Sequence, residues 1–155
     1  MDRQTLAQAV VDDLALTWLQ VPGHAFSLSG FARARGLTSA EVERAVLGLA
    51  REGVVRVQYA RSALTLTAVV LTHAAQERWI HDRSAALLPG SERQLLRVTT
   101  WLHRVGPVAE QDIVRKLGVL PSRAHQLVVM LRCLGRVQAA VGVGGRFEEV
   151  RCRPG

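Results

Sequence analysis

Two stretches of this sequence share one pattern and decide the fold: Phe31-Ala-Arg-Ala-Arg-Gly36-Leu37-Thr38 and Ile113-Val-Arg-Lys-Leu-Gly118-Val119. Each contains a glycine suited to the left-handed end of a helix. A second pair of matching stretches follows them, Leu49-Ala-Arg-Glu-Gly53-Val54-Val55 and Leu131-Arg-Cys-Leu-Gly135-Arg136-Val137. Core positions and turn glycines therefore repeat along the chain, whereas surface residues do not. This pattern indicates two copies of one small fold.

The sequence pattern of the first copy predicts three helices followed by two strands. Leu6, Val10 and Leu14 recur at helical spacing. Thr38 and Glu41 form a capping box, in which each side chain satisfies a backbone N–H group at the start of a helix. The predicted elements are a helix ending before Pro22-Gly23, a short helix over about residues 28–35 capped by Ser27, a helix from Thr38 through Arg51, and strands over Val54–Tyr59 and Leu64–Val70 with Arg61-Ser62 at the turn.

The second copy predicts the same order of elements. Ser91 and Gln94 have the spacing of another capping box, and Pro121-Ser122 is typical of a helix start. Between the copies, Leu71–Leu88 has the pattern of a linking helix with Trp79 on its apolar side. The other predicted elements are a helix from Ser91, a short helix from about Ala109 to Leu117, a helix from Pro121 closed by Gly135, and strands over Val137–Val141 and Phe147–Cys152 around Gly142-Val143-Gly144-Gly145.

This order of elements resembles the winged helix-turn-helix family, twice over. The resemblance implies a mainly α fold with small β-hairpins (α+β). Residues 1–71 and 91–155 would be two tandem winged-helix domains, joined by a linking helix over residues 72–90. The resemblance also implies binding of double-stranded DNA. In this family the second helix of the turn motif enters the major groove, and the hairpin contacts neighbouring phosphates.

Composition and charge favour a polyanionic partner and argue against a membrane protein. The chain has 155 residues, is 48% hydrophobic and carries a net charge of +7. Residues 91–155 hold 11 basic and 5 acidic side chains, which is net +6 and suggests a polyanionic partner for the second copy. No apolar run has the length of a membrane span, and the N-terminus lacks the pattern of a signal peptide. We therefore expect a cytoplasmic protein, associated with the nucleoid if it binds DNA, and no membrane partner.

Catalysis, cofactors and metals find no support in the sequence. No serine or cysteine is paired with a recognisable base, and no nucleotide-binding motif is present. His73, Glu77 and His81 share one face of the linking helix, but a solvated helix surface explains them. Cys133 lies near basic residues and has no evident resolving partner. We expect a protein that is not an enzyme and that has no cofactor and no metal.

The candidate DNA-binding residues are polar and basic side chains placed on the outer faces of the two turn motifs. In the second copy, we expect Arg123 and Gln126 to read base edges, and Arg115, Lys116 and Arg146 to contact phosphates. The full set is Ser122, Arg123, His125, Gln126, Arg115, Lys116 and Arg146 in the second copy, and Arg33, Arg35, Arg44, Arg51 and Arg61 in the first. This set predicts a transcriptional regulator or chromosome-associated factor whose second copy is the main reader.

Two alternatives stay open. Leu47 and Val129 are predicted to point outward, and exposed apolar side chains on such helices favour a protein interface or a homodimer. Tandem winged helices also serve as protein-interaction modules in the kleisin-associated subunits of bacterial condensin, which this architecture resembles in outline. A third class, RNA-binding winged-helix arrays, is disfavoured because no exposed aromatic residues are predicted.

Overall fold

The computed structural model describes residues 2–21, 24–60 and 66–154. The fold is mainly helical with two small antiparallel sheets of two strands each, so the predicted α+β class is confirmed. The chain is divided into two compact units. Unit 1 comprises Met1–Trp18 and His24–Trp79, and unit 2 comprises Leu19–Gly23 and Ile80–Gly155.

Unit 1 contains three helices and a hairpin. They are α1 (Arg3–Trp18), α2 (Leu28–Ala34), α3 (Ser39–Arg51), β1 (Val55–Tyr59) and β2 (Leu66–Leu71). The predicted capping box at the start of α3 is present, and the Glu41 N–H donates to Thr38 Oγ1 at 3.2 Å. The predicted turn at Arg61-Ser62 lies outside the described residues. The core is apolar and combines all three helices with the hairpin, through Val10, Leu14, Phe31, Val42, Val46, Val55, Val69 and Leu71.

The segment predicted to link the two copies forms two helices, α4 (His73–Asp82) and α5 (Ser84–Leu87). The boundary between the units falls inside α4, after Trp79. The Trp79 side chain is buried, and its indole N–H donates to Asp12 Oδ1 on α1 at 3.0 Å. The first part of the predicted linker is therefore built into the core of unit 1.

Unit 2 repeats the order of elements of unit 1. It contains α6 (Ser91–Val105), α7 (Glu110–Leu117), α8 (Pro121–Cys133), β3 (Val137–Val141) and β4 (Phe147–Cys152). Both strands have the bounds that the sequence predicts. Val108, just before α7, also pairs with β4: its N–H donates to the Val150 carbonyl at 2.9 Å, and the Val150 N–H donates to the Val108 carbonyl at 2.7 Å.

The predicted capping box at the start of α6 is wrong. Gly90, at φ 81°, occupies the N-cap position, and no side chain caps the helix. Gln94 instead accepts a hydrogen bond from Arg123 at 3.0 Å. The Ser91 hydroxyl is buried without a hydrogen-bond partner in the described part of the chain. Ser91 is therefore the first residue of α6 and not its N-cap.

Candidate interaction surfaces

The helix α8, predicted to read DNA, is buried around most of its circumference. It packs against α6, α7 and β3. Its buried residues are Ala124, His125, Leu127, Val128, Val129, Met130 and Leu131. The prediction that His125 and Val129 lie on the outer face is therefore wrong. The unbroken apolar run Leu127–Leu131 could have predicted this burial, since a helix that is apolar on all sides is usually buried.

His125 belongs to a buried polar network. Its Nδ1 lies 2.6 Å from Oε1 of Glu110, a carboxylate that is only 2% exposed. The His125 ring stacks on Phe147 with 4.9 Å between ring centroids. The half-exposed Arg146 reaches the same carboxylate, with Nη1 3.5 Å from Oε2. The imidazole is thus held by α7 and β4, and sequence spacing gave no sign that Glu110 lies beside it.

Arg123 is also bound within unit 2. Its Nη1 donates to the Pro89 carbonyl at 3.2 Å and to Gln94 Oε1 at 3.0 Å. The guanidinium predicted to read base edges therefore joins the start of α8 to the start of α6. Of the predicted base-reading side chains, Ser122 remains exposed and Gln126 is half-buried.

Two of the predicted phosphate-binding residues border one cleft. Arg115 and Arg146 line a space of about 460 Å³ together with Glu110, Gln111, Val114 and Pro121. Arg115 is exposed and lies 3.5 Å from Asp112 Oδ1. Lys116 faces another direction, with its ammonium 6.0 Å from the centre of the Trp101 ring. The cleft connects the turn before α8 to the β3–β4 hairpin.

Exposed apolar side chains lie close in sequence to two residues of this cleft, Pro121 and Arg146. Leu120, directly before Pro121, is 72% exposed, and Val143, at the tip of the hairpin, is 96% exposed. Val141 on the same hairpin is also exposed. None of the three was predicted as a contact residue. We name the set Leu120, Val141, Val143, Arg115 and Arg146 the α8–hairpin surface.

The predicted residues of unit 1 fall into separate groups. Arg44 and Arg51 line a cleft of about 500 Å³ between α1 and α3, together with Arg3. Arg33 is exposed on α2, and the Arg35 guanidinium carbon lies 3.8 Å from the centre of the Phe31 ring. The remaining two predictions concern single positions: Leu47 is half-buried, and Arg61 lies outside the described residues.

A second cleft of unit 1 was not predicted at all. It has a volume of about 360 Å³ and separates β2 from the segment His24–Phe26. Its walls are largely apolar, including Leu14, Trp18 and Phe26. Among the described residues of the lining, Arg56 carries a full charge and none carries a carboxylate. We name this space the β2 cleft.

Metal and membrane sites are not found in the described ranges. Within residues 2–21, 24–60 and 66–154, no three His, Cys, Asp or Glu side chains converge as a metal would require. His73 instead lies 2.6 Å from Glu77 on α4. Burial raises the pKa of the Cys152 thiol. None of the described helices is long and apolar enough to span a membrane.

The solved structures that are similar to this chain include two that match it over most of its length. ScpB from Mycobacterium tuberculosis is 14% identical, with a TM-score of 0.31, over 99% of this chain and 92% of that chain. A conserved hypothetical protein from Chlorobium tepidum is 16% identical, with a TM-score of 0.30, over 97% of this chain and 92% of that chain. TM-scores this low assign neither a function nor a site. No protein-family model and no curated protein sequence matches the chain.

Proposed function

We propose that this chain is a protein-interaction module of two winged-helix units, in which the α8–hairpin surface of unit 2 contacts an acidic segment of a partner protein. The observation that carries the proposal is a division among the side chains of unit 2. Two of the predicted DNA-binding side chains, Arg123 and His125, are bonded inside the unit, whereas apolar side chains are exposed beside the same helix.

Base reading requires polar side chains that are free to bond with base edges. His125 is buried against Glu110, and Arg123 is occupied by Pro89 and Gln94. Withdrawing Arg123 would break two hydrogen bonds to partners that are exposed or half-buried. Withdrawing His125 would leave the buried Glu110 carboxylate without that hydrogen bond, which costs about 1–3 kcal/mol. This cost favours His125 staying in place when a ligand binds.

The exposed side chains of the α8–hairpin surface favour a protein ligand. Full burial of a leucine or valine contributes about 1.5–3 kcal/mol, and a phosphate backbone offers little apolar surface to bury it. Arg115 and Arg146 line the cleft together with Pro121, and residues 119–147 contain no aspartate or glutamate. Charge complementarity therefore favours a partner segment that combines carboxylates with apolar side chains.

Two acidic peptides of equal length and charge test the proposal, one carrying two leucines and the other two serines in their place. Fluorescence anisotropy with the full chain should show binding about tenfold tighter for the leucine peptide, the effect of burying one apolar side chain. That preference should persist at high salt, because apolar contacts are not screened.

Substitutions in the α8–hairpin surface test whether the leucine peptide binds there. Leu120→Ser combined with Val143→Ser should abolish the preference for the leucine peptide. Leu96→Ser is the matched control, since Leu96 is exposed on α6 and lies outside the α8–hairpin surface. Equal affinity for the two peptides, or an unchanged preference in the double variant, would overturn the proposal.

Duplex DNA binding through phosphates alone is the second candidate, favoured by the net charge of +6 on residues 91–155 and by the exposed Arg115 and Lys116. A random duplex measured over a salt series tests it. Affinity that falls steeply with salt and drops in Arg115→Ala/Lys116→Ala would favour this candidate, whereas no binding at low salt would exclude it.

A further inference from the structure

The two units differ at the outer edge of their hairpins. In unit 2, Val108 lies beside β4 and exchanges two backbone hydrogen bonds with Val150, in antiparallel orientation. Val108 thus pairs with the outer edge of β4. Among the described residues of unit 1, no backbone hydrogen bond joins His24–Ser27 to β2.

The corresponding positions in unit 1 are defined by the repeat. Phe26 precedes Ser27, the N-cap of α2, as Val108 precedes Ala109, the N-cap of α7. Val69 is opposite Val57 in the hairpin of unit 1, and Val150 is opposite Ala139 in the hairpin of unit 2. Val69 is thus the counterpart of Val150. The β2 cleft occupies the position where unit 2 has its extra pairing.

The register of the hairpin sets the direction of the Val69 backbone groups. The Thr72 N–H donates to the Val54 carbonyl at 3.0 Å, across from β2 to the start of β1. In an antiparallel pair, hydrogen-bonded and non-bonded positions alternate. Val69 lies three residues from Thr72 and therefore directs its N–H and carbonyl away from β1. Both groups face the β2 cleft, where a buried backbone group requires a partner.

We propose that the outer edge of β2 accepts an extended segment of a partner protein, which pairs with Val69 in antiparallel orientation. An apolar side chain of that segment would fill the β2 cleft between Trp18 and Phe26, and a carboxylate beside it would face Arg56. Strand addition to an exposed sheet edge is an established mode of peptide recognition, in which backbone hydrogen bonds give affinity and side-chain pockets give specificity. The inference rests on the proposed function in requiring a protein partner, but it uses the other unit.

Amide hydrogen exchange of the full chain gives the first test. The Val150 amide is bonded to Val108 and should be protected, whereas the Val69 amide should exchange at least about tenfold faster. Addition of the blocked peptide Glu-Val-Glu-Val-Glu should slow exchange at Val69 and shift its amide resonance. Equal protection of Val69 and Val150 in the free protein would overturn the proposal.

N-methylated peptides separate strand addition from ordinary groove binding. Methylation of the amide opposite Val69 should abolish binding, whereas methylation of the next amide, which points away, should not. Arg56→Glu should weaken the peptide at least about fivefold by turning an attraction into a repulsion. Equal loss with both methylated peptides, or a dimer of the chain in sedimentation that competes with the peptide, would contradict the proposal.

The variant Leu120→Ser/Val143→Ser distinguishes this inference from the proposed function. It should bind the β2-edge peptide as the unmodified chain does, because its changes lie in unit 2. If the peptide shifted amide resonances of unit 2 alone, the proposed site at the outer edge of β2 would be overturned, whereas the proposal for the α8–hairpin surface would not be contradicted. Shifts at Val69 together with failure of the leucine peptide would overturn the α8–hairpin surface alone.

Discussion

Nδ1 of His125 lies 2.6 Å from Oε1 of Glu110, and both side chains are buried. The same carboxylate receives Arg146 from the tip end of the hairpin, directly before β4. One acidic side chain therefore joins α7, α8 and the hairpin. This arrangement fixes the hairpin beside the start of α8, where the cleft of the α8–hairpin surface lies.

Glu110→Ala should destabilise unit 2 by about 1–3 kcal/mol, because the buried Nδ1 of His125 would lose its hydrogen-bond partner. Urea unfolding followed by circular dichroism measures the loss. Glu92→Ala, at an exposed position of α6, is the control and should change stability by less than about 0.5 kcal/mol. Equal effects of the two substitutions would show that the network contributes nothing.

Arg123 should behave as a structural residue. Arg123→Ala and Gln94→Ala should each lower stability, and the double variant should lose less than the sum, with a coupling of about 1 kcal/mol. Gln126→Ala is the control on the same helix and should not couple to Gln94. Full additivity of Arg123→Ala and Gln94→Ala would contradict the hydrogen bond at 3.0 Å.

Asp13 and Asp2 should respond to pH with opposite signs. Burial raises the pKa of the Asp13 carboxyl above its ordinary 3.8, more than Arg35 lowers it. The native state then binds the proton more tightly than the unfolded chain, so stability falls as pH rises through that folded-state pKa. Asp13→Asn should raise the Tm at neutral pH, and the gain should disappear below the ordinary pKa.

Asp2 provides the control for that measurement. Hydrogen bonds from Thr5 lower the pKa of the Asp2 carboxyl, which accepts the Thr5 N–H at 2.8 Å. Its contribution is present above the ordinary pKa and is lost as pH falls through the folded-state value. Asp2→Asn should therefore not raise the Tm at neutral pH. A higher Tm in both variants would point to net charge as the cause.

Gly48 and Gly53 should give opposite results when replaced by alanine. Gly48 lies inside α3, and a Cβ built there meets no atom within 4 Å. Gly48→Ala should stabilise unit 1 by about 0.5–1 kcal/mol through the lower entropy of its unfolded chain. Gly53 has φ +77°, so Gly53→Ala should cost about 1–2 kcal/mol. Thermal unfolding of the two variants checks both signs.

Much of the fold could be predicted because its signals are local. Gly36 and Gly118 both have positive φ, as their places after a helix require. The capping box of Thr38 and Glu41 depends on four consecutive residues and was found from their spacing alone. The same spacing at Ser91 predicted a capping box that is not present. Gly90 is the N-cap of α6, and the Gln94 side chain accepts a hydrogen bond from Arg123 on α8.

The candidate site was harder to predict because it depends on contacts distant in sequence. Helical periodicity put His125 outside, but Glu110 and Phe147 approach it from α7 and β4 and bury it. The β2 cleft could not be predicted, since it arises from the absence in one copy of a pairing that the other copy makes. Arg44 and Arg51 were correctly placed near the surface, but spacing could not reveal Arg3 beside them.

The position of Trp79 bears on any attempt to divide the molecule. A fragment cut where the sequence repeat suggests, at Leu71, would lose the indole that fills the core of unit 1 and bonds to Asp12. Leu19–Gly23 interrupts unit 1 near its other end and groups with unit 2. The repeat in the sequence and the folded unit thus have different ends, and an isolated first copy that retains its tryptophan core must extend at least through Trp79.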